Sequence, residues 1–196
     1  MISKFRIGAL VIILNFFASV AMIWGQDNPS LLQMAVPSLN IAPDARGGGM
    51  GDMGAATLPD INSQYWNAAK YAFMGSKAGV SLSYTPWLRK LVNDVALVNM
   101  TGYYKLGNSD LQAISASLRY FSLGEVNIWE NIGDVPYGLN PYEMAFDVAY
   151  SRKLSESYSM AVTLRYIRSD MGTDQNDESN AGNAFSADIS GYLEKY

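Results

Sequence analysis

The chain of 196 residues contains no cysteine and no histidine. Without cysteine it has no disulfide framework, no thiol nucleophile and no thiolate-bound metal. Without histidine it lacks the base of the common catalytic triads and the most frequent ligand of transition metals. No spacing of Ser, Asp, Glu or Lys indicates a nucleophile beside its base. We therefore predict a protein that is not an enzyme, with no catalytic site, no metal site and no cofactor.

Charge is also scarce. Charged residues make up 16% of the chain, whereas average soluble domains carry about a quarter. The 14 basic and 18 acidic residues give a net charge of −4, and loss of Lys4 and Arg6 with an N-terminal leader would make the chain more acidic. Such a charge is unfavourable for binding a phosphate backbone, so we expect no nucleic-acid partner.

The N-terminus has the pattern of an export signal. Lys4 and Arg6 precede an apolar run over residues 7–23, which is shorter than the roughly 20 residues that a membrane-spanning helix needs. We predict a signal peptide over residues 1–25, with an uncleaved anchor as the alternative. The signal peptide predicts export through the inner membrane.

Residues 26–76 follow no helical or strand period. They contain a glycine-rich stretch over residues 44–54, which lacks the Gly-Lys-Ser/Thr of a phosphate-binding loop. We interpret the region as a compact plug, or hatch, in which Asp44 and Arg46 pair or bond to the backbone. The residues of this structural motif are Asp44, Arg46, Gly49, Met50 and Gly51.

Residues 77–196 alternate between apolar and polar side chains, which is the period of a β-strand with one oily face. Val80, Leu82 and Tyr84, for example, alternate with serine and threonine. Six such runs of about 9–13 residues match the 9–11 of a tilted strand that crosses a bilayer. Short turns alternate with long polar connections, and aromatic residues end many runs, as in outer-membrane barrels. The fold class predicted is all-β, a transmembrane antiparallel β-barrel.

On the polar row of these strands lie four charges that we predict to face the lumen of the barrel: Arg119, Asp147, Arg165 and Asp188. Charges on that row are tolerated where they line water or pair across the lumen. We therefore expect an Arg119–Asp147 or an Arg165–Asp188 pair between neighbouring strands. The interpretation that these charges hold the shape of the lumen competes with a role in selectivity.

Six strands are fewer than the eight that usually close a transmembrane barrel. An open sheet in lipid would leave backbone groups unpaired at its edges. We expect the chain to hold the hatch and about six strands of a larger barrel, or to assemble with other chains.

Several motifs, in order along the chain, resemble the PorV family of type IX secretion. They are Asp-Ala-Arg-Gly-Gly-Gly-Met-Gly at residues 44–51, Tyr-Trp-Asn-Ala-Ala-Lys at 65–70, Ser-Tyr-Thr-Pro-Trp-Leu at 83–88, Leu-Arg-Tyr-Phe-Ser-Leu-Gly at 118–124 and Tyr-Ser-Arg-Lys-Leu at 150–154. The resemblance implies a FadL-like barrel with an N-terminal hatch, located in the cell outer membrane.

The resemblance also implies a function. PorV-like proteins collect cargo with C-terminal signal domains from the translocon and deliver it to a surface complex that contains a PorU-type sortase. The partners implied are cargo, translocon, sortase and outer-membrane lipid. Candidate contacts in the long loop are Trp129, Pro136 and Tyr137, which could equally belong to the aromatic girdle. The alternatives are a FadL-like transporter of hydrophobic small molecules and a lipid-modifying enzyme of the outer membrane.

Overall fold

The computed structural model describes residues 36–87, 94–107, 111–128, 137–172 and 181–194. The predicted signal peptide, Trp129 and Pro136 lie outside these described residues. Within the described ranges, no helix has the length and apolar character needed to cross a bilayer.

Residues 36–76, which we call the hatch segment, form four short helical elements. They are a 3₁₀ helix at Pro37–Asn40, helix α1 at Ala45–Gly49, helix α2 at Ser63–Trp66 and a second 3₁₀ helix at Ala68–Phe73. Side-chain caps start two of them. Asp44 accepts a hydrogen bond from the Gly47 amide, and Asn67 accepts one from the Ala69 amide. These caps satisfy donors that a helix start leaves without intrahelical partners.

Six long strands form one antiparallel sheet, which confirms the all-β prediction. They are β1 (Ala78–Pro86), β2 (Val95–Leu106), β3 (Gln112–Leu123), β6 (Tyr142–Lys153), β7 (Tyr158–Asp170) and β8 (Gly182–Leu193). The order in the sheet is β1-β2-β3-β6-β7-β8. The sheet is open, because β1 and β8 do not pair with each other among the described residues.

A small hairpin extends from the middle of the sheet. Strands β4 (Val126–Ile128) and β5 (Tyr137–Leu139) pair only with each other. They lie in the connection between β3 and β6, which the sequence predicted only as a long polar loop.

The two faces of the sheet differ in composition as the alternation predicts. On the face that we call outer, large apolar side chains are exposed, with Leu82 at 71% and Phe185 at 84%. On the opposite, inner face, polar side chains such as Thr101 and Asp147 are buried. The hatch segment covers the inner face, so the protein buries polar groups and exposes apolar ones.

The hydrophobic core lies between the hatch segment and the inner face. Tyr71 of the second 3₁₀ helix stacks on Tyr103 of β2 with ring centroids 4.9 Å apart. Three strands contribute small side chains to this cluster, namely Ala113, Ala149 and Ala161. Because alanine is small, the second 3₁₀ helix can pack close to the backbone of the sheet at these positions.

An apolar hollow of about 650 Å³ lies on the outer face. Its floor is formed by Gly102 and Ala116, which are opposite each other on β2 and β3. Larger neighbours such as Met100, Leu118 and Phe146 line its wall. The hollow therefore arises where small residues interrupt a row of large ones.

Candidate functional site

Inner-face side chains hold the first 3₁₀ helix by its backbone. The Ser38 amide donates to Glu143 Oε2 at 2.9 Å, and Arg119 Nη1 donates to the Ser38 carbonyl, also at 2.9 Å. The same guanidinium nitrogen lies 3.3 Å from the Ile41 carbonyl. Both charged side chains are buried, so these charge-assisted bonds form away from competing water. One residue, Ser38, is thus bound through both its backbone N–H and its backbone C=O, which belong to two consecutive peptide units.

Two further side chains complete this grip. The Tyr65 ring lies 4.4 Å from the Arg119 guanidinium carbon, and its hydroxyl donates to the Leu39 carbonyl at 2.9 Å. Ser83 of β1 donates to the Pro43 carbonyl at 2.6 Å. The atoms of Ser38, Leu39, Ile41 and Pro43 in these bonds belong to the main chain, so Arg119, Glu143, Tyr65 and Ser83 bind a backbone conformation.

The second 3₁₀ helix is hydrogen-bonded to the inner face near β7 and β8. Ser159 of β7 donates to the Ala69 carbonyl at 2.7 Å, and Asn67 Nδ2 donates to the Gly191 carbonyl of β8 at 3.0 Å. Ser115 of β3 donates to Gln64 Oε1. The hatch segment is therefore bonded to strands from β1 to β8.

The four charges predicted to face the lumen are divided between two networks. Arg165 Nε lies 2.7 Å from Asp147 Oδ1, and Arg165 Nη1 lies 3.6 Å from Asp188 Oδ2. Asp147 also accepts a hydrogen bond from Ser117 at 3.2 Å. Arg119 is not in this chain of ion pairs, because its guanidinium group turns to the hatch backbone.

Both charged residues of the predicted hatch motif have partners in the structure. Asp44 accepts from the Gly47 amide at 2.8 Å and from Trp66 Nε1 at 3.2 Å. Arg46 pairs with Asp60 at 3.2 Å on the surface. These contacts connect α1 to α2 and to the turn before it.

The glycines of the motif have different roles. Gly49 ends α1 with open space around it, Met50 follows as the C-cap, and Gly51 has a φ of 76°, which favours glycine. The close packing occurs at Gly47 and Gly54, outside the named set. A Cβ atom on Gly54 would lie 2.2 Å from the Trp66 ring.

Lys70 is a buried charge that the sequence analysis did not single out. Its Nζ donates to the Gly54 carbonyl at 2.7 Å and to Thr57 Oγ1 at 3.1 Å. Burial lowers the pKa of Lys70 from its ordinary value, although nearby Asp60 acts to raise it. Lys70 therefore fixes the loop over residues 54–57 on the second 3₁₀ helix.

Among the described residues, Tyr71 has the largest fully buried side chain. Its hydroxyl both donates and accepts a hydrogen bond. The hydroxyl donates to the Ile61 carbonyl at 2.8 Å and accepts from the Gln64 amide at 2.8 Å. Burial raises the pKa of Tyr71 far above its ordinary value. The phenol is thus neutral in the folded chain and anchors the turn before α2.

Glu143 was also missed, although its signal was available in the sequence. It lies on the same polar row of β6 as Asp147, four residues earlier. Its Oε1 is buried without a hydrogen-bond partner, as is Nε2 of Gln64.

Of the candidate partner-contact residues, only Tyr137 is described, as the first residue of β5 opposite Ile128.

Comparison with known proteins identifies a family. No curated protein matches the chain. The profile of the family described as "Type IX secretion system protein PorV" matches residues 25–195, which is nearly the whole chain. A hatch-covered antiparallel sheet with an exposed apolar face fits an outer-membrane component of that system. The chain belongs to the PorV family of type IX secretion system proteins.

Proposed function

We propose that this protein binds cargo proteins through their C-terminal signal domains and shuttles them from the translocon to the surface attachment complex. The observation that carries the proposal is the family match over residues 25–195. Membership makes the chain a component of type IX secretion in the outer membrane. Handover between translocon and PorU-type sortase is the finer step that we infer.

The inner face supports a carrier of proteins over a transporter of hydrophobic small molecules. A ligand in the lumen would contact this face, whose buried side chains are largely Ser, Thr, Asn and charged residues rather than apolar ones. Hydrogen bonds to the hatch segment occupy much of it, as at Ser115 and Ser159. The apolar hollow lies on the outer face, where outer-membrane lipid is the natural contact.

We place cargo contact at the sheet end that carries the long connections. Strand ends Leu123 and Tyr142 adjoin the β4–β5 hairpin at this end, and Asp170 of β7 lies beside Tyr142. Aromatic side chains in exposed loops are frequent energetic anchors of protein interfaces. Trp129, Pro136 and Tyr137 are therefore our candidates for the cargo contact.

The test is a cross-linked pull-down of the tagged full protein from outer membranes, analysed by mass spectrometry. We expect secreted proteins with a shared C-terminal domain, the translocon and the sortase complex among the products. Trp129→Ala should reduce cargo recovery about tenfold, as for an interface anchor worth more than 1 kcal/mol. Tyr104→Ala, which changes an exposed aromatic residue of β2 near the opposite end of the sheet, serves as the matched control.

Two results would contradict the proposal. Recovery of fatty acid in the purified protein without any cargo would favour the transporter. Equal cargo recovery from the Trp129→Ala and Tyr104→Ala variants would move the cargo contact away from the long loop.

A further inference from the structure

Arg119 and Glu143 are positioned to form an ion pair with each other. Both project from the inner face of neighbouring strands, and the register pairs Arg119 with Ala145 and Phe121 with Glu143. The two residues are therefore diagonal neighbours on one face. Such positions have Cα atoms about 7–8 Å apart, within reach of long side chains. Opposite charges in this relation would ordinarily attract each other directly.

The backbone of Ser38 lies between the two charges. Its amide bonds to Glu143 and its carbonyl bonds to Arg119, each at 2.9 Å. In this part of the described structure, Arg119 and Glu143 do not form an ion pair. Glu143 keeps one carboxylate oxygen buried without a partner. The bound peptide thus replaces the direct contact and leaves one acceptor unused.

Asp147 is the other acidic diagonal neighbour of Arg119 on β6. Its carboxylate already binds Arg165 through both oxygens, at 2.7 and 3.4 Å, and accepts a bond from Ser117. Glu143 has the vacant acceptor oxygen. If the Ser38 peptide leaves, Glu143 is therefore the partner to which Arg119 turns.

We propose that Arg119 and Glu143 form a two-state latch on the hatch segment. In the closed state they bind the backbone N–H and C=O of Ser38, and in the released state they pair with each other after residues 36–41 withdraw. A buried charge that loses its partner strongly destabilises a structure. The direct pair avoids that cost in the released state, so two arrangements of the same groups can be close in free energy.

The latch does not depend on the side chains of the segment that it holds. Arg119, Glu143 and Tyr65 bond to main-chain atoms of Ser38, Leu39 and Ile41. A reporter can therefore replace the Leu39 side chain without removing any of these bonds. The chain has no cysteine of its own, so Leu39→Cys introduces a single thiol.

The experiment measures the rate at which a small maleimide labels the Leu39→Cys protein, full chain, in outer membranes. Two changes are added to this reporter separately. Glu143→Gln keeps an oxygen acceptor for the Ser38 amide but removes the ion pair of the released state. The exchange Arg119→Glu with Glu143→Arg keeps the ion pair. It places a positive charge at the Ser38 N–H and a negative charge at the Ser38 C=O, so neither group can form its hydrogen bond.

The exchanged variant should label at least about tenfold faster than the reporter alone, because only its closed state is disfavoured. Glu143→Gln should label several-fold more slowly, because its released state loses a buried ion pair whereas its closed state loses only the charge assistance of one hydrogen bond. A role for Glu143 as a mere hydrogen-bond acceptor of the closed hatch would produce equal or faster labelling in Glu143→Gln. That result would overturn the proposal, as would an unchanged rate in the exchanged variant.

A second reporter controls for folding. Ala161→Cys places a thiol on β7 in the core cluster, where Ala161 is 2% exposed, away from the latch. Its labelling rate should be equal in all three backgrounds, and the amount of protein in the outer membrane should be unchanged. An exchanged variant that labels faster at both reporters has lost its fold, and that would overturn the assignment of a released state stabilised by the ion pair.

Discussion

The inner and outer faces of the same sheet use opposite chemistry. Neighbouring residues of β3 illustrate the contrast, since Ser117 is buried on the inner face and Leu118 is exposed on the outer face. In a water-soluble protein the sides would be reversed. The inner face is stabilised by specific hydrogen bonds and ion pairs to the hatch segment, whereas the outer face depends on a surrounding apolar medium. Each face therefore fails through a different kind of substitution.

The largest effect should come from breaking the inner ion-pair network. Asp147→Ala removes the carboxylate that binds Arg165 and Ser117, leaving a mostly buried guanidinium group without its closest partner. We expect a loss of about 3 kcal/mol in the free energy of unfolding, measured by urea titration of the full chain in lipid vesicles. Arg46→Ala breaks the half-exposed pair with Asp60 and should cost less than about 1 kcal/mol.

Equal losses in these two variants would show that burial does not distinguish the inner network from the surface pair. The contrast between faces would then rest on the outer face alone.

A charge on the outer face tests the need for an apolar surrounding. Ile189→Lys places an ammonium group in the middle of β8 on the outer face, where Ile189 is 75% exposed. The expected cost is about 2–4 kcal/mol near the bilayer midplane. The same titration should detect it in vesicles.

Ala184→Lys is the matched control for that variant. Ala184 is exposed on the inner side of β8 and lies opposite the uncharged Ile167, where a polar row tolerates charge better than lipid does. A similar loss for both lysines would indicate that the outer face of β8 is not in contact with lipid.

A smaller effect is expected within the hatch segment itself. Gly54→Ala would bring a Cβ atom to 2.2 Å from the Trp66 ring, and overpacking of this kind costs about 1–3 kcal/mol. The population of the opened hatch should rise about 5- to 150-fold. The rate of trypsin cleavage after Arg46 measures that population, because cleavage needs an unfolded site.

Gly48→Ala provides the comparison in the same segment. No heavy atom lies within 4 Å of its added Cβ, and alanine is the better helix former in α1. Cleavage after Arg46 should be equal or slower. Faster cleavage in this variant than in Gly54→Ala would contradict the packing argument for Trp66.

The strands and their faces could be predicted from sequence because alternation is a local property. A period of two assigns each side chain to a face without knowledge of any partner. The six strands, the exposed apolar row and the inward direction of Arg119 and Asp147 all follow from it. The β4–β5 hairpin was not predicted, since three-residue strands such as Val126–Ile128 are too short to show a period.

The contacts of the inner face could not be predicted in the same way. Arg119 has two acidic diagonal neighbours on β6, Glu143 and Asp147, and it also faces the hatch segment. Its strand position therefore permits three different partners. Likewise, a run of glycines does not reveal which of them packs against a ring. Gly54 meets Trp66, whereas Gly48 and Gly49 meet open space.

Composition and alternation alone determined the chemistry of this protein: no thiol or imidazole groups, and a sheet with one oily face whose mid-strand charges stand on the polar face. The tertiary structure decided which groups meet across the inner face. It paired Asp147 with Arg165 and directed Arg119 and Glu143 to the backbone of Ser38. The physical reason is that hydrogen bonds and ion pairs require contact distances of a few ångströms. Ser38 is 81 positions from Arg119 and 105 positions from Glu143 in the chain. These residues reach contact distances only after the hatch segment docks on the sheet.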